Sequence, residues 1–277
     1  MRVTIVGCGY TGLELARQAV ASGHVVAGTT TTPARLQQIA RTGAAPVLMR
    51  GDDLSQLPST LRGADAVVWL APPPSDSSPR EVAERISEAL SPPAVLVYGS
   101  TTGVYGAQSS VDELSAVGEP SPRGRARLET ELSLRLAHPS LRVVRIAGIY
   151  GPGRTLREGI ESGRLVLFEG GPVMSRIHVE DLSRILLAMV GDDVPDLVIA
   201  TDERPAPTLE VARYTAMLLG LELPPIWSRE EATSKLPPSA LELRLEGRRC
   251  VSLRRPGLIG ALRHPTFVEG VVASLRE

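Results

Sequence analysis

A chain of 277 residues is long enough to bury a sizeable core, as one large α/β domain or a nucleotide-binding domain with a smaller partner. Its 30 basic and 31 acidic residues leave a formal charge of -1. No cationic excess is available to collect phosphate backbones or anionic lipid, so neither nucleic acid nor membrane is an expected partner.

The two cysteines, Cys8 and Cys250, lie far apart and in no metal-ligand spacing; no metal site is expected, and a reducing compartment is. The opening "MRVTIVG" enters an apolar strand at once, and no apolar run approaches the ~18 residues of a membrane span. A cytoplasmic protein is expected. Lys235 is the one lysine, so any mechanism needing a lysine has a single candidate.

In chain order the first half alternates apolar runs ("VTIVG", "HVVAGT", "APVLMR", "ADAVVWLA", "AVLVYGS", "LRVVRIAGIYG") with helical patterns ("TGLELARQAVASG", "PARLQQIARTG", "PREVAERISEAL", "GRARLETELSLRLAH"). This is the rhythm of βαβ units. Continuous apolarity over four to six residues, rather than alternation, marks strands covered on both faces, as in a parallel sheet flanked by helices. After Gly153 the rhythm changes to a Gly-rich stretch, a helix "EDLSRILLAMV", a strand "LVIA" and a helix "LEVARYTAMLLGL". The expected fold is α/β, a Rossmann-type doubly wound parallel sheet with a small, discontinuous C-terminal cap domain. Residues 1–150, completed by roughly 176–202, would form the NAD(P)-binding part, and 151–175 with 203–277 the cap.

"VTIVGCGYTGLELARQAVASGH" places Gly7, Gly9 and Gly12 in a GxGxxG pattern directly after a strand and at a helix opening. Gly7 would allow the tight turn, Gly9 the close approach of a pyrophosphate and Gly12 the packing of helix on strand. The amides near Tyr10 and Thr11 would face the phosphates with the helix dipole behind them. About twenty residues on, where an NAD-preferring site places an acid for the ribose, the chain has the neutral "GTTTTPAR". Thr29, Thr30 and Thr31 with Arg35 can hold a 2′-phosphate that a carboxylate would repel, so NADP is the expected cofactor and NAD the alternative. The same run could simply cap the next helix. In "MRGDDL", Asp52 or Asp53 could accept from the adenine amino group or cap a helix.

The segments "GCGYTG", "GDDL", "VVWLAPP", "YGSTTGVYG", "GRARLETE", "RIAGIYGPGR" and "RIHVEDL", in this order, resemble the extended short-chain dehydrogenase/reductases, the NAD-dependent epimerase/dehydratase-like proteins, over essentially the whole chain. The resemblance implies cofactor contacts from Leu70, Ala71 and Pro72, from Ser100, and from Ile149 in the segment that crosses over the nicotinamide, with Gly151 and Gly153 permitting close backbone approach. It implies that Thr101, with Ser100 beside it, binds the reacting carbonyl. The family's Tyr and Lys, however, fall on Arg123 and Arg127. Arg127 could keep a charge near the ribose, but an arginine cannot titrate in place of a phenol. Tyr105, Tyr150 and His178 are the available proton-transfer substitutes, each with an ordinary packing role as its alternative. GxGxxG without the Tyr is similar to the atypical, YeeZ-like short-chain proteins.

In the family's R-x-x-I-H-V-x-D segment the first Arg grips a sugar diphosphate; that position is Met174 here. Arg176, two residues on, could contact an anionic substrate from the same face with His178 nearby. Asp181 reads as a first-turn acid complementing a helix dipole rather than a base. The resulting expectation is an NADP-dependent oxidoreductase or epimerase-like enzyme acting on a small carbonyl or hydroxyl compound without the usual YxxxK pair. The rival is a non-catalytic NADP-binding sensor. The discriminating feature is whether the space beside Thr101 is open or filled. The family often pairs through a helix bundle, so a homodimer is an expectation.

Overall fold

The computed structural model describes residues 1–49, 54–72, 78–90, 94–237, 240–241 and 245–276. The elements of the first half are β1 (Arg2–Val6), α1 (Tyr10–Ala21), β2 (Val25–Thr30), α2 (Leu36–Arg41), β3 (Ala45–Leu48), α3 (Leu57–Leu61), β4 (Ala66–Trp69), α4 (Pro79–Ala89), β5 (Val95–Thr101), β6 (Ser110–Val111), α5 (Pro122–Ala137) and β7 (Arg142–Ile146). The second half continues with β8 (Gly148–Tyr150), α6 (Arg157–Glu161), β9 (Leu167–Phe168), β10 (Val173–Met174), β11 (Arg176–His178), α7 (Val179–Ala188), β12 (Leu197–Ala200), β13 (Ala206–Pro207), α8 (Thr208–Leu219), β14 (Ile226–Trp227), α9 (Arg229–Lys235) and β15 (Arg249–Cys250), then short helices at Arg255–Ile259 and Phe267–Leu275.

The main sheet has seven strands in the order β12-β7-β5-β4-β1-β2-β3, every neighbouring pair parallel. The side chains explain the apolar runs. In β1, Val3 and Ile5 join one core and Val6 the other; in β4, Ala66 and Val68 divide from Val67 and Trp69; in β5, Val97 divides from Leu96 and Tyr98. Alternate residues of each strand thus feed two separate cores, one on each face, and both faces must be apolar. Helices α1 and α7 pack together on one face, α4 and α5 on the other.

Strand order reverses between β1 and β4, and the crevice at their carboxyl ends is where such a sheet binds ligands. Strand β12 and helix α7, from late in the chain, complete the sheet and one helix layer. The remaining late segments form two-stranded ribbons: β10 with β13, β11 with β8, β14 with β9, and β15 with β6. No helix among the described residues is long and apolar enough to cross a membrane.

Candidate functional site

At that crevice the chain makes the turn its glycines foretell. Gly7 has φ +88°, and a Cβ there would come within 2.6 Å of the Ala71 amide nitrogen. A Cβ on Gly12 would lie 3.0 Å from the Gly7 carbonyl oxygen and 3.3 Å from Ile5, so this glycine lets α1 rest against β1. Gly9 differs: its added Cβ would meet nothing closer than Arg35 Nη1 at 3.5 Å. Its face is open, with a guanidinium poised over it, which is the arrangement a pyrophosphate requires.

The threonines after β2 take separate roles. Thr29 and Thr30 are buried; Thr29 Oγ1 accepts the Gly7 amide at 3.0 Å and Thr30 Oγ1 the Thr32 amide at 3.1 Å. They hold the turn in shape. Thr31 and Arg35 are exposed. Asp52 and Asp53 lie outside the described residues.

A cleft of about 520 Å³ runs from this turn, past Leu70, to Gly99, Ser100 and Thr101 at the end of β5, and is walled by Gly148, Ile149, Arg154 and Glu246. Ala71 and Pro72 are not among its lining residues; the Ala71 carbonyl accepts from Arg127 and Pro72 is exposed. A second hollow of about 230 Å³ shares Thr101, Gly103, Gly148 and Glu246 with it and adds Thr102, Met174 and Arg248. The space beside Thr101 is therefore open.

Ser100 is 4% exposed and its Oγ has no hydrogen-bond partner. An orphaned buried hydroxyl is costly, and Ser100 is one of the residues that line the cleft. Thr101 Oγ1 accepts the Gly103 amide at 3.1 Å, which leaves its own proton to donate. Arg127 Nη1 donates to the carbonyls of Gly99 at 3.1 Å and Ala71 at 3.3 Å and to the Tyr98 hydroxyl at 3.4 Å. It ties the carboxyl ends of β4 and β5 under the cleft. Burial raises the Tyr98 phenol pKa, with Arg127 opposing.

The other residues singled out from sequence fall elsewhere. Tyr105 is fully buried, its hydroxyl donating to the Asp112 carbonyl at 2.9 Å and the Arg145 guanidinium 4.9 Å from its ring centroid. Tyr150 donates to the Thr266 carbonyl at 3.3 Å; burial raises its pKa. His178 caps α7: its Nδ1 accepts the Glu180 amide at 3.3 Å, so Nε2 carries the proton and faces Ser274 Oγ at 3.2 Å. Burial, then the neighbouring His264, lower its pKa to about 4. Arg176 binds the carbonyls of Met174 and Ala206 at 3.0 and 2.7 Å and Thr208 Oγ1 at 3.2 Å, away from the cleft. Asp181 accepts the amides of Arg263 and His264 at 2.8 Å each and pairs with Arg184 at 2.8 Å, pinning a loop onto α7.

Two cleft residues carried no assigned role in the sequence, Arg154 at the end of "RIAGIYGPGR" and Glu246, which lies in no motif. Arg154 lies over the Tyr10 ring at 5.5 Å, while Tyr10 donates to the Pro152 carbonyl at 3.0 Å. Glu246 enters because β15 pairs with β6 and Arg248 donates to the carbonyls of Thr102 and Gly106, each at 2.6 Å. Nothing in "LEGRRC" announces that docking; only the long-range pairing places Glu246 opposite Thr101.

Residues 2–119 match the model of the NAD binding domain of 6-phosphogluconate dehydrogenase. Over 247 residues the chain is 30% identical to Protein YeeZ of Escherichia coli strain K12, covering 80% of this chain and 85% of YeeZ. A functionally unknown conserved protein from Silicibacter pomeroyi DSS superimposes with a TM-score of 0.85 at 30% identity, over 99% of this chain and 98% of that one. A human epimerase family protein with NADPH gives 0.78 at 18% identity, with all of both chains covered (100% each). UDP-glucuronic acid 4-epimerase from Bacillus cereus, in complex with NAD, gives 0.75 at 18% identity, over 99% and 97% of the two chains.

The fold is thus that of the NAD(P)-binding, epimerase/dehydratase-like Rossmann proteins. Within that class, the chain belongs to the YeeZ family.

Proposed function

We propose that this protein is an NADP-dependent oxidoreductase or epimerase-like enzyme acting on a small carbonyl or hydroxyl compound. The observation that carries the reading is the continuous cleft from the Gly7–Gly12 turn to Thr101, open at the far end and lined also by Ser100, whose buried hydroxyl has no partner. The open glycine face with Arg35 above it suits a dinucleotide, and the absence of an acid among Thr29 to Thr32 suits a 2′-phosphate. A bound nicotinamide would supply or accept a hydride.

The chain's own groups do the rest. Thr101 donates to the substrate oxygen and Ser100 completes the polar floor. Tyr105, Tyr150 and His178 do not line the cleft, whereas Glu246 does, so Glu246 is the group assigned to take up or return the proton. The hollow around Thr101, Met174 and Glu246 supports an enzyme over a sensor with a filled site. The cytoplasm remains the proposed location, and a homodimer the proposed assembly.

Calorimetric titration of the full chain with NADP, NADPH, NAD and NADH tests the reading, with Arg35→Ala as control. The phosphorylated pair is expected to bind more tightly, and Arg35→Ala to weaken that pair by roughly tenfold or more and by a larger factor than NAD and NADH, which share only the pyrophosphate. Binding to none of the four would refute it.

A further inference from the structure

Strand β10 borders two hollows. Met174, its last residue, lines the one of about 230 Å³ that holds Thr101 and Glu246, and also another of about 290 Å³. Strand pairing sets it there: Met174 stands opposite Ala206 of β13, and the next amide, that of Ser175, donates to the Arg248 carbonyl at 3.0 Å. The two walls meet a second time, because Gly247 of the first hollow rests on Pro172 of the other, where a Cβ would collide with the proline ring.

The 290 Å³ hollow is apolar, lined chiefly by Leu165, Val166, Leu167, Phe168, Pro172 and Leu209. Leu167 and Leu209 belong to a buried cluster with Ile160, Ala212 and Ala216, so packed side chains back these walls. Among the described residues its one charged lining residue is Arg164, whose side chain is 76% exposed and pairs with Glu158 at 3.6 Å. Its one side-chain hydroxyl is engaged: Thr208 Oγ1 accepts from Arg176 at 3.2 Å and donates to Met174 Sδ at 3.6 Å. Arg176 is itself held by the carbonyls of Met174 and Ala206. A phosphate entering here would lose its hydration without gaining a cation, whereas a hydrocarbon group would leave water at no such cost. An apolar cavity of ~150 Å³ takes up benzene, so this one has room for roughly six carbons or more. Met174 suits the partition, since its unbranched thioether turns about three bonds and its sulfur is a weak acceptor.

We infer that the substrate carries an apolar tail of roughly six carbons or more, which passes Met174 from the Thr101 hollow into this one, and that Met174 is the residue that selects the tail. This deepens the function proposed above and rests on it for the reacting end of the substrate.

The test is calorimetric titration of the full chain with the 2-alkanones from 2-butanone to 2-nonanone, with and without saturating NADP. Kd is expected to fall roughly fourfold per added methylene until the hollow is full. Val166→Trp, which fills the hollow from a half-buried position, should flatten that dependence, and so should Met174→Arg, which sets a charge at the partition. An unchanged thermal midpoint verifies each fold; where one variant does not fold, the other decides. With NADP saturating, UDP is expected not to compete with 2-octanone. No ketone binding, a Kd independent of chain length, a length dependence that survives in the folded variants, or competition by UDP would each overturn the tail pocket. Length-dependent binding without any dinucleotide binding would keep the pocket and remove the proposed function; dinucleotide binding with no length dependence would do the reverse.

Discussion

Ser100 and Glu246 bear on the site in opposite ways. The Ser100 hydroxyl is buried without a partner, a condition that typically costs ~1–3 kcal/mol. Ser100→Ala should therefore leave the free protein as stable as before or more so, while weakening dinucleotide binding. Denaturant unfolding with and without NADP checks both halves, and a clear loss of stability in the free variant would contradict the orphan assignment. Glu246→Gln keeps the shape and removes the proposed proton acceptor. A general acid or base typically contributes ~10² to 10⁴ in rate; a fall of that order in kcat with unchanged dinucleotide affinity is expected, and an unaltered kcat would exclude Glu246 from proton transfer.

Helix α5 and strand β7 are joined by a buried ion pair, Arg145 to Glu131, with one bond at 2.6 Å and another at 3.3 Å, and both side chains at most 8% exposed. Removing one partner strands a buried charge, so Glu131→Ala should destabilise by ~3–5 kcal/mol, read from chemical denaturation; under ~1 kcal/mol would mean that water or another group replaces it. The elements of the main sheet were legible in the sequence because both-sided burial writes continuous apolar runs, and the glycine turn because GxGxxG after a strand has few other uses. The substrate wall was not. Glu246 and Arg248 carry no periodicity or motif, and the Arg176 guanidinium is turned by the carbonyls of Met174 and Ala206, a constraint invisible in a one-dimensional pattern. Tyr105 stands in a family-like "VYG" yet points to the Asp112 carbonyl, since motif position does not fix side-chain direction.

For the whole molecule, two buried groups set opposing pH dependences. Asp202 is 3% exposed with neither carboxylate oxygen hydrogen-bonded; burial raises its pKa to about 8 against the pull of Arg176, while the Arg204 amide stands near but outside hydrogen-bonding geometry. An unfolded Asp ionises near ~4, so the unfolded chain holds fewer protons between ~4 and 8 and stability falls with rising pH there. Burial and the neighbouring His264 depress His178 from the ordinary ~6.5 to about 4, so stability falls as pH drops from ~6.5 towards 4. From these two groups the slopes cancel between ~4 and ~6.5 and a decline follows up to ~8. Asp202→Asn should abolish that decline, raising the thermal midpoint at pH 8 with little change at pH 5; parallel melts of parent and variant decide it. The pairing of β15 with β6 joins residues Arg249 and Ser110, and this has a consequence for synthesis. A ribosome completes the glycine cradle and the Thr101 floor long before it makes Glu246. A chain cut short before Glu246 would thus still carry the groups proposed for the dinucleotide and lack the wall proposed for proton transfer.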